Sequence, residues 1–189
     1  MRRCFLLLVC LALSACQYGV RNLESAADVL PGDLILVGKV TLDPPLAEDE
    51  QQLGMTEKAQ QDLINLLLST EQVMIDPSSI RYRDFQTAVK ASLGTTFFAL
   101  APYRQANISG GMIYLNVSDR FYFPGGWRYQ ASDSDQAIYI GTIQYRRNTF
   151  NEVVGARVID EYSQASREFA GKFGADIKLR KSLLSKASR

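Results

Sequence analysis

The sequence predicts an α+β domain with a predominantly antiparallel, β-sandwich-like core and one or two packed helices. Three features carry that expectation. Short runs rich in β-branched and aromatic residues recur from Leu34 onward between Pro, Gly and Asn turn signals. Several of them alternate with the period of two expected of a strand. Only two segments, 56–68 and 160–173, place apolar residues at the three- and four-residue spacing of a helix face. A chain of 189 residues, 47% hydrophobic and 22% charged, has enough apolar material for one ordinary domain with a real core.

Taken in order, the run Leu34 to Leu42 reads as a largely buried strand, stopped at Asp43-Pro44-Pro45 because proline removes backbone donors. The acidic stretch from Glu48 to Gln52 reads as a solvated loop. From Thr56 to Leu68, Ala59, Leu63, Leu66 and Leu67 share one helical face, with Thr56 as N-cap. Val73-Met74-Ile75 is a short apolar run, and 78–92 suits helix and strand alike. Thr95 to Ala101, closed by Pro102, reads as a strand. A further strand, Met112 to Val117, follows Gly110-Gly111. Phe121-Tyr122-Phe123 and Trp127-Arg128-Tyr129 flank Pro124-Gly125-Gly126, a hairpin signal because proline presets φ and glycine accepts positive φ. Ala137 to Tyr145 alternates, with Ile138, Ile140, Thr142 and Gln144 on one face and Tyr139, Gly141, Ile143 and Tyr145 on the other. Across a polar turn at 146–149 it is expected to pair with 150–159. Asp160 then caps a helix bearing Tyr162, Ala165, Phe169 and Phe173.

The amino-terminal segment carries the most specific motif. Arg2 and Arg3 precede an apolar run from Phe5 to Leu13, which is shorter than the roughly 20 residues a spanning helix needs. Leu13-Ser14-Ala15-Cys16 follows, and this arrangement resembles the lipobox of bacterial lipoproteins. The resemblance implies a signal peptide at 1–15, a covalent lipid on Cys16 and a lipidated tether at 16–32. A single globular β-rich domain at 33–176 and a basic tail at 177–189 complete the expected organisation. In that family an aspartate after the cysteine retains the protein in the inner membrane. Gln17 therefore implies the outer membrane, with the domain on the periplasmic face.

Absent residue types narrow the chemistry. The chain has no histidine, and its three cysteines are Cys4 and Cys10 in the signal segment and the lipid acceptor Cys16. Triads based on histidine, thiolate nucleophiles, disulfides and Cys/His metal sites are therefore not expected of the mature chain. The leader holds two of the 21 basic residues and no acid, which leaves the rest near neutrality against 20 acidic residues and argues against nucleic acid as a partner. No cofactor other than the lipid is expected.

The aromatic group Tyr114, Phe121, Tyr122, Phe123, Trp127, Tyr129, Tyr139 and Tyr145 is read first as filling sheet faces. Around the expected 124–126 turn, Arg120, Tyr122, Trp127, Arg128 and Tyr129 form the candidate contact surface for a ligand or partner. Asp133 and Asp135 are too few for a calcium loop and read as a polar connection. The stretch from Pro124 to Trp127, the strand Tyr139-Ile140-Gly141-Thr142-Ile143 and the entry Val158-Ile159-Asp160-Glu161 into a helix resemble small sandwich lipoproteins of the carboxypeptidase-regulatory or transthyretin-like type over residues 95–173. That resemblance implies a binding or scaffold module without shared catalytic residues. The functional expectation is a non-catalytic binding or assembly module of the cell envelope, with an envelope protein complex or a glycan as partner. A carboxylate-dependent hydrolase acting on envelope glycans is the alternative from another class. A carrier of small apolar ligands is a third, and it requires a cavity of about 300 Å³ or more.

Overall fold

Strand β7 (Ala137–Arg147) organises the molecule. In the structure, a computed structural model, residues 20–47, 64–71, 87–114, 120–150 and 152–187 are described. β7 lies between β1 (Ile35–Asp43), which runs parallel to it, and β8 (Val153–Ile159), which returns antiparallel across the turn after Arg147. β4 (Thr96–Leu100) extends this sheet antiparallel to β1, and β9 (Leu179–Lys181) pairs parallel with the first residues of β7. The second sheet has the order β10-β6-β5-β2-β3, built from β2 (Ile64–Ser69), β3 (Val89–Ala91), β5 (Gln105–Tyr114), β6 (Arg120–Gln130) and β10 (Ser185–Lys186). The α+β, sandwich-like class expected from the sequence is the observed one.

The inner faces bury Leu36, Val40 and Ile138 of the first sheet against Leu66, Ile108 and Trp127 of the second. Removing such surface from water is the main source of folding free energy, at about 25 cal/mol per Å². Helix α1 (Tyr162–Phe173) packs Ala165, Phe169 and Phe173 on the opposite face of the first sheet, over Ile35, Val37, Ala137 and Tyr139. Asp160 Oδ1 accepts the Tyr162 N–H at 3.0 Å at the helix start. No described helix is long and apolar enough to cross a membrane.

Three expectations require correction. The expected helix 56–68 is strand β2 from Ile64 onward, while 56–63 lies outside the described residues. Ile64, Leu66 and Leu68 face the core, and Asn65 and Leu67 are buried on the reverse. A run apolar on both faces satisfies both periods, so spacing does not distinguish them. Secondly, Pro124-Gly125-Gly126 is no hairpin, because β6 continues straight through it. Ile108 pairs with Trp127 and Gly110 with Pro124, leaving Gly125 and Gly126 opposite the single residue Ser109, which is the definition of a bulge. The neighbouring Gly110 and Gly111 lie inside β5, not before it.

The third correction concerns the faces of β7. Between the pairs Val37 with Tyr139 and Lys39 with Thr142, β1 advances two residues and β7 three. The extra residue is accommodated at Gly141, whose φ of 102° lies where an L side chain is strained. Alternation resumes out of phase, so Ile138, Ile140, Ile143 and Tyr145 all face the core. Thr142, Gln144 and Arg146 therefore fall on the outer face, and the turn of the hairpin begins only at Asn148.

Residues 179–186, within the expected basic tail, are paired into both sheets as β9 and β10. Val73-Met74-Ile75, 78–86 and 115–117 lie outside the described residues. Buried phenols tie the layers together: Tyr145 donates to the Pro124 carbonyl at 3.0 Å and Tyr129 to the Tyr103 carbonyl at 2.9 Å. Tyr145→Phe is expected to cost about 1 kcal/mol of unfolding free energy, the net worth of one such bond, and urea titration would measure it.

Candidate functional site

The contact surface expected near residue 125 does not assemble on one face. Trp127, 8% exposed, and Tyr129, 1% exposed, point into the core between the sheets. Burial pushes the Tyr129 phenol above its ordinary range. Tyr122 and Arg128 alternate to the opposite face of β6, across from Met112 and Asn107, and both are half-buried. Arg120 opens β6 opposite Tyr114. Phe123, Tyr139 and Tyr145 are likewise core residues, so these five aromatic side chains fill sheet faces. Cys16 and the 1–15 segment lie outside the described residues.

Asp135 is structural. Its carboxylate accepts two hydrogen bonds from Arg180 at 2.7 Å, and the Ser132 N–H and hydroxyl at 2.6 and 2.8 Å. Arg104 brackets the same turn by donating to the Ser132 and Asp135 carbonyls. No group of three or more His, Cys, Asp and Glu residues converges for a metal among the described residues.

A different polar surface emerges on the outer face of the first sheet, beside α1. The phase shift at Gly141 aligns Lys39 with Thr142, Thr41 with Gln144 and Asp43 with Arg146 across β1 and β7. β8 adds Arg157 opposite Gln144 and Gly155 opposite Arg146. The helix end of this stripe is closed by an ion pair. Lys39 Nζ lies 2.6 Å from Glu161 Oε2, which also accepts the Thr142 hydroxyl at 2.6 Å. The Tyr139 hydroxyl accepts the Glu161 N–H at 2.9 Å and fixes the backbone there. The Lys39 and Thr142 hydrogen bonds hold the Glu161 carboxyl below its usual range. Glu168, bonded by Thr96 and Gln164, is lowered as well. Beyond the helix start, Asp160, Tyr162, Gln164, Arg167 and Lys181 surround an open depression of about 360 Å³. Lys181 is already paired with Asp160 at 2.9 Å.

The far end of the stripe is less committed. Asp43, Gln144, Arg146, Gly155, Ala156 and Arg157 line a depression of about 310 Å³, open to solvent. Arg157 Nε donates to Gln144 Oε1 at 2.8 Å, which orients its remaining N–H groups. The side chains of Asp43 and Arg146 engage no hydrogen-bond or ion-pair partner among the described residues. Gly155 leaves the floor low, since a Cβ there would stand 3.6 Å from Arg146 Nη2. Two guanidinium groups beside an amide and a carboxylate form a surface suited to binding a polar, anionic group. These residues were not singled out from the sequence, where 146–149 read as a turn. Period-two alternation groups Gln144 with Ile138 and Ile140, and only the bulge at Gly141 turns Gln144 and Arg146 outward.

None of the known family models, curated proteins or solved structures matches this chain.

Proposed function

We propose that the protein is a lipoprotein anchored through Cys16 to the periplasmic face of the outer membrane, and that its sandwich serves there as a non-catalytic binding module. The lipobox Leu13-Ser14-Ala15-Cys16 carries this reading. Anchoring confines the domain to a surface and raises its effective concentration toward a partner held nearby. Residues 20–23 lie along β3 and β4, with Val20 N–H bonded to the Ala88 carbonyl and Leu100 N–H to the Arg21 carbonyl. Leu100 pairs with Ile35 at the start of β1, whereas the uncommitted depression is at Asp43, at its end. Strand rise puts roughly 26 Å between those levels, so the depression sits far along the sheet from where the chain leaves toward Cys16.

Neither carboxylate beside α1 is suited to the general-acid role of the alternative hydrolase reading. A general acid needs a raised pKa, and Glu161 and Glu168 are both lowered by the hydrogen bonds they accept.

Mass spectrometry of the amino-terminal peptide tests the anchor. Three acyl chains on residue 16 and recovery in the membrane fraction are expected, and Cys16→Ser is expected to abolish both. An unmodified Cys16 in a chain recovered from the soluble fraction would overturn the reading.

A further inference from the structure

We infer that the depression between β7 and β8 binds an acidic saccharide, a polyhydroxylated ligand carrying a carboxylate or phosphate. This names a ligand class for the binding role proposed above and rests on that role, but not on the lipid itself. Arg146 and Arg157 project from diagonal positions of an antiparallel pair, on the same face. That geometry brings long side chains within reach of one group. Arg157 is steered by Gln144, and Arg146 has no partner of its own among the described residues. A planar guanidinium pairs with an oxyanion through two parallel N–H donors, and two guanidinium groups line this one depression.

An anion alone does not account for the rest of the lining. Asp43 opposes Arg146 in register, yet makes no ion pair with it. It is an acceptor facing the same space, suited to hydroxyl hydrogens, while the Gln144 amide offers both donor and acceptor. A volume of about 310 Å³ is of the size that holds a small polar ligand. Gly155 has no side chain and Ala156 packs its methyl against the core, so nothing bulky stands between the ligand and the strand. A saccharide is favoured over a lipid headgroup as the source of the anion because Asp43 and the Gln144 amide line the same depression and suit several hydroxyl groups.

The test is a titration of the full chain in detergent micelles, followed by the amide resonances of Gln144, Gly155 and Arg157. Galacturonic acid and glucose 6-phosphate are the two ligand arms, with glucose, inorganic phosphate and phosphatidylglycerol vesicles as comparisons. At least one anionic sugar is expected to shift these amides and to bind more tightly than glucose or phosphate. The stronger arm reports which anion is read. Arg146→Ala and Arg157→Ala are exposed changes, expected to leave the fold intact and to weaken binding at least tenfold each. Gly155→Val, which fills the floor, is expected to do the same. The proposal fails if neither sugar moves these amides, or if phosphate alone binds as well as the sugars. It fails equally if the vesicles are preferred, or if both arginine variants bind like the parent. Because lipidation is read by mass in a separate experiment, loss of one result leaves the other standing.

Discussion

Gly125→Ala is expected to leave almost no folded protein, with a loss of more than about 4 kcal/mol. At the bulge in β6 the backbone of Gly125 lies against β5. A Cβ built there would sit 2.1 Å from the Ser109 carbonyl carbon, 2.2 Å from its oxygen and 2.5 Å from the Ile108 oxygen. All three are main-chain atoms held in a paired strand, so no rotamer change relieves the overlap. The strands must separate or the bulge must move, and moving it by one residue reverses which side chains of β6 face the core. Phe123, Trp127 and Tyr129 would then lose their places. Since domains of this size are stable by only about 5–15 kcal/mol, one such change exhausts much of the margin.

The neighbour supplies a control that separates clash from backbone strain. Gly126 has a φ of 96°, but nothing lies within 4 Å of a Cβ built on it. Gly126→Ala therefore faces only the left-handed backbone penalty, about 1–2 kcal/mol. Urea unfolding followed by Trp127 fluorescence would compare the two. A Gly125→Ala midpoint close to that of Gly126→Ala would contradict the packing described here.

The same glycines show how far the sequence was readable. β1, β8 and α1 were legible because one period fitted each: β-branched residues bounded by prolines, a second run after a polar turn, and Tyr162, Ala165, Phe169 and Phe173 at helical spacing. β2 was not, because Leu66 and Leu67 are both buried and so serve either period. Pro124-Gly125-Gly126 carries the residues of a turn, but glycine also permits close approach of two strands, and only the position of β5 decides between those uses. The consequence for the site was larger. The bulge at Gly141 moves Thr142 and Gln144 from one side of β7 to the other relative to Ile138 and Ile140, so a face expected to hold all four divides between core and surface. Residues 179–186 contribute few apolar side chains, yet they complete both sheets through backbone pairing, which no side-chain pattern records.

That carboxyl-terminal pairing depends on Asp135, and Asp135→Ala is expected to cost about 2–3 kcal/mol. Removing one partner of a fully buried ion pair costs about 3–5 kcal/mol. Here the Asp135 side chain is 8% exposed but Arg180 is 46% exposed, so solvent recovers part of that loss. What remains is the Ser132 N–H without its acceptor and β9 without the bond that holds Arg180 to the 132–135 turn. The pH dependence carries the sign of the effect. Arg180 above all, with Ser132, holds the Asp135 carboxyl well below the usual carboxylate range. A carboxyl lowered by folding contributes stability that is complete above its unfolded value, near 4, and is lost as pH falls toward its folded value. The parent should therefore be flat in this respect from pH 5 to 8 and weaken below 4. Asp135→Asn, which keeps the shape but not the charge, should be weaker than the parent at pH 7, and the gap should narrow by pH 3. Chemical denaturation at the two pH values measures that difference, and a gap that is equal at both would mean the charge of Asp135 does not secure β9.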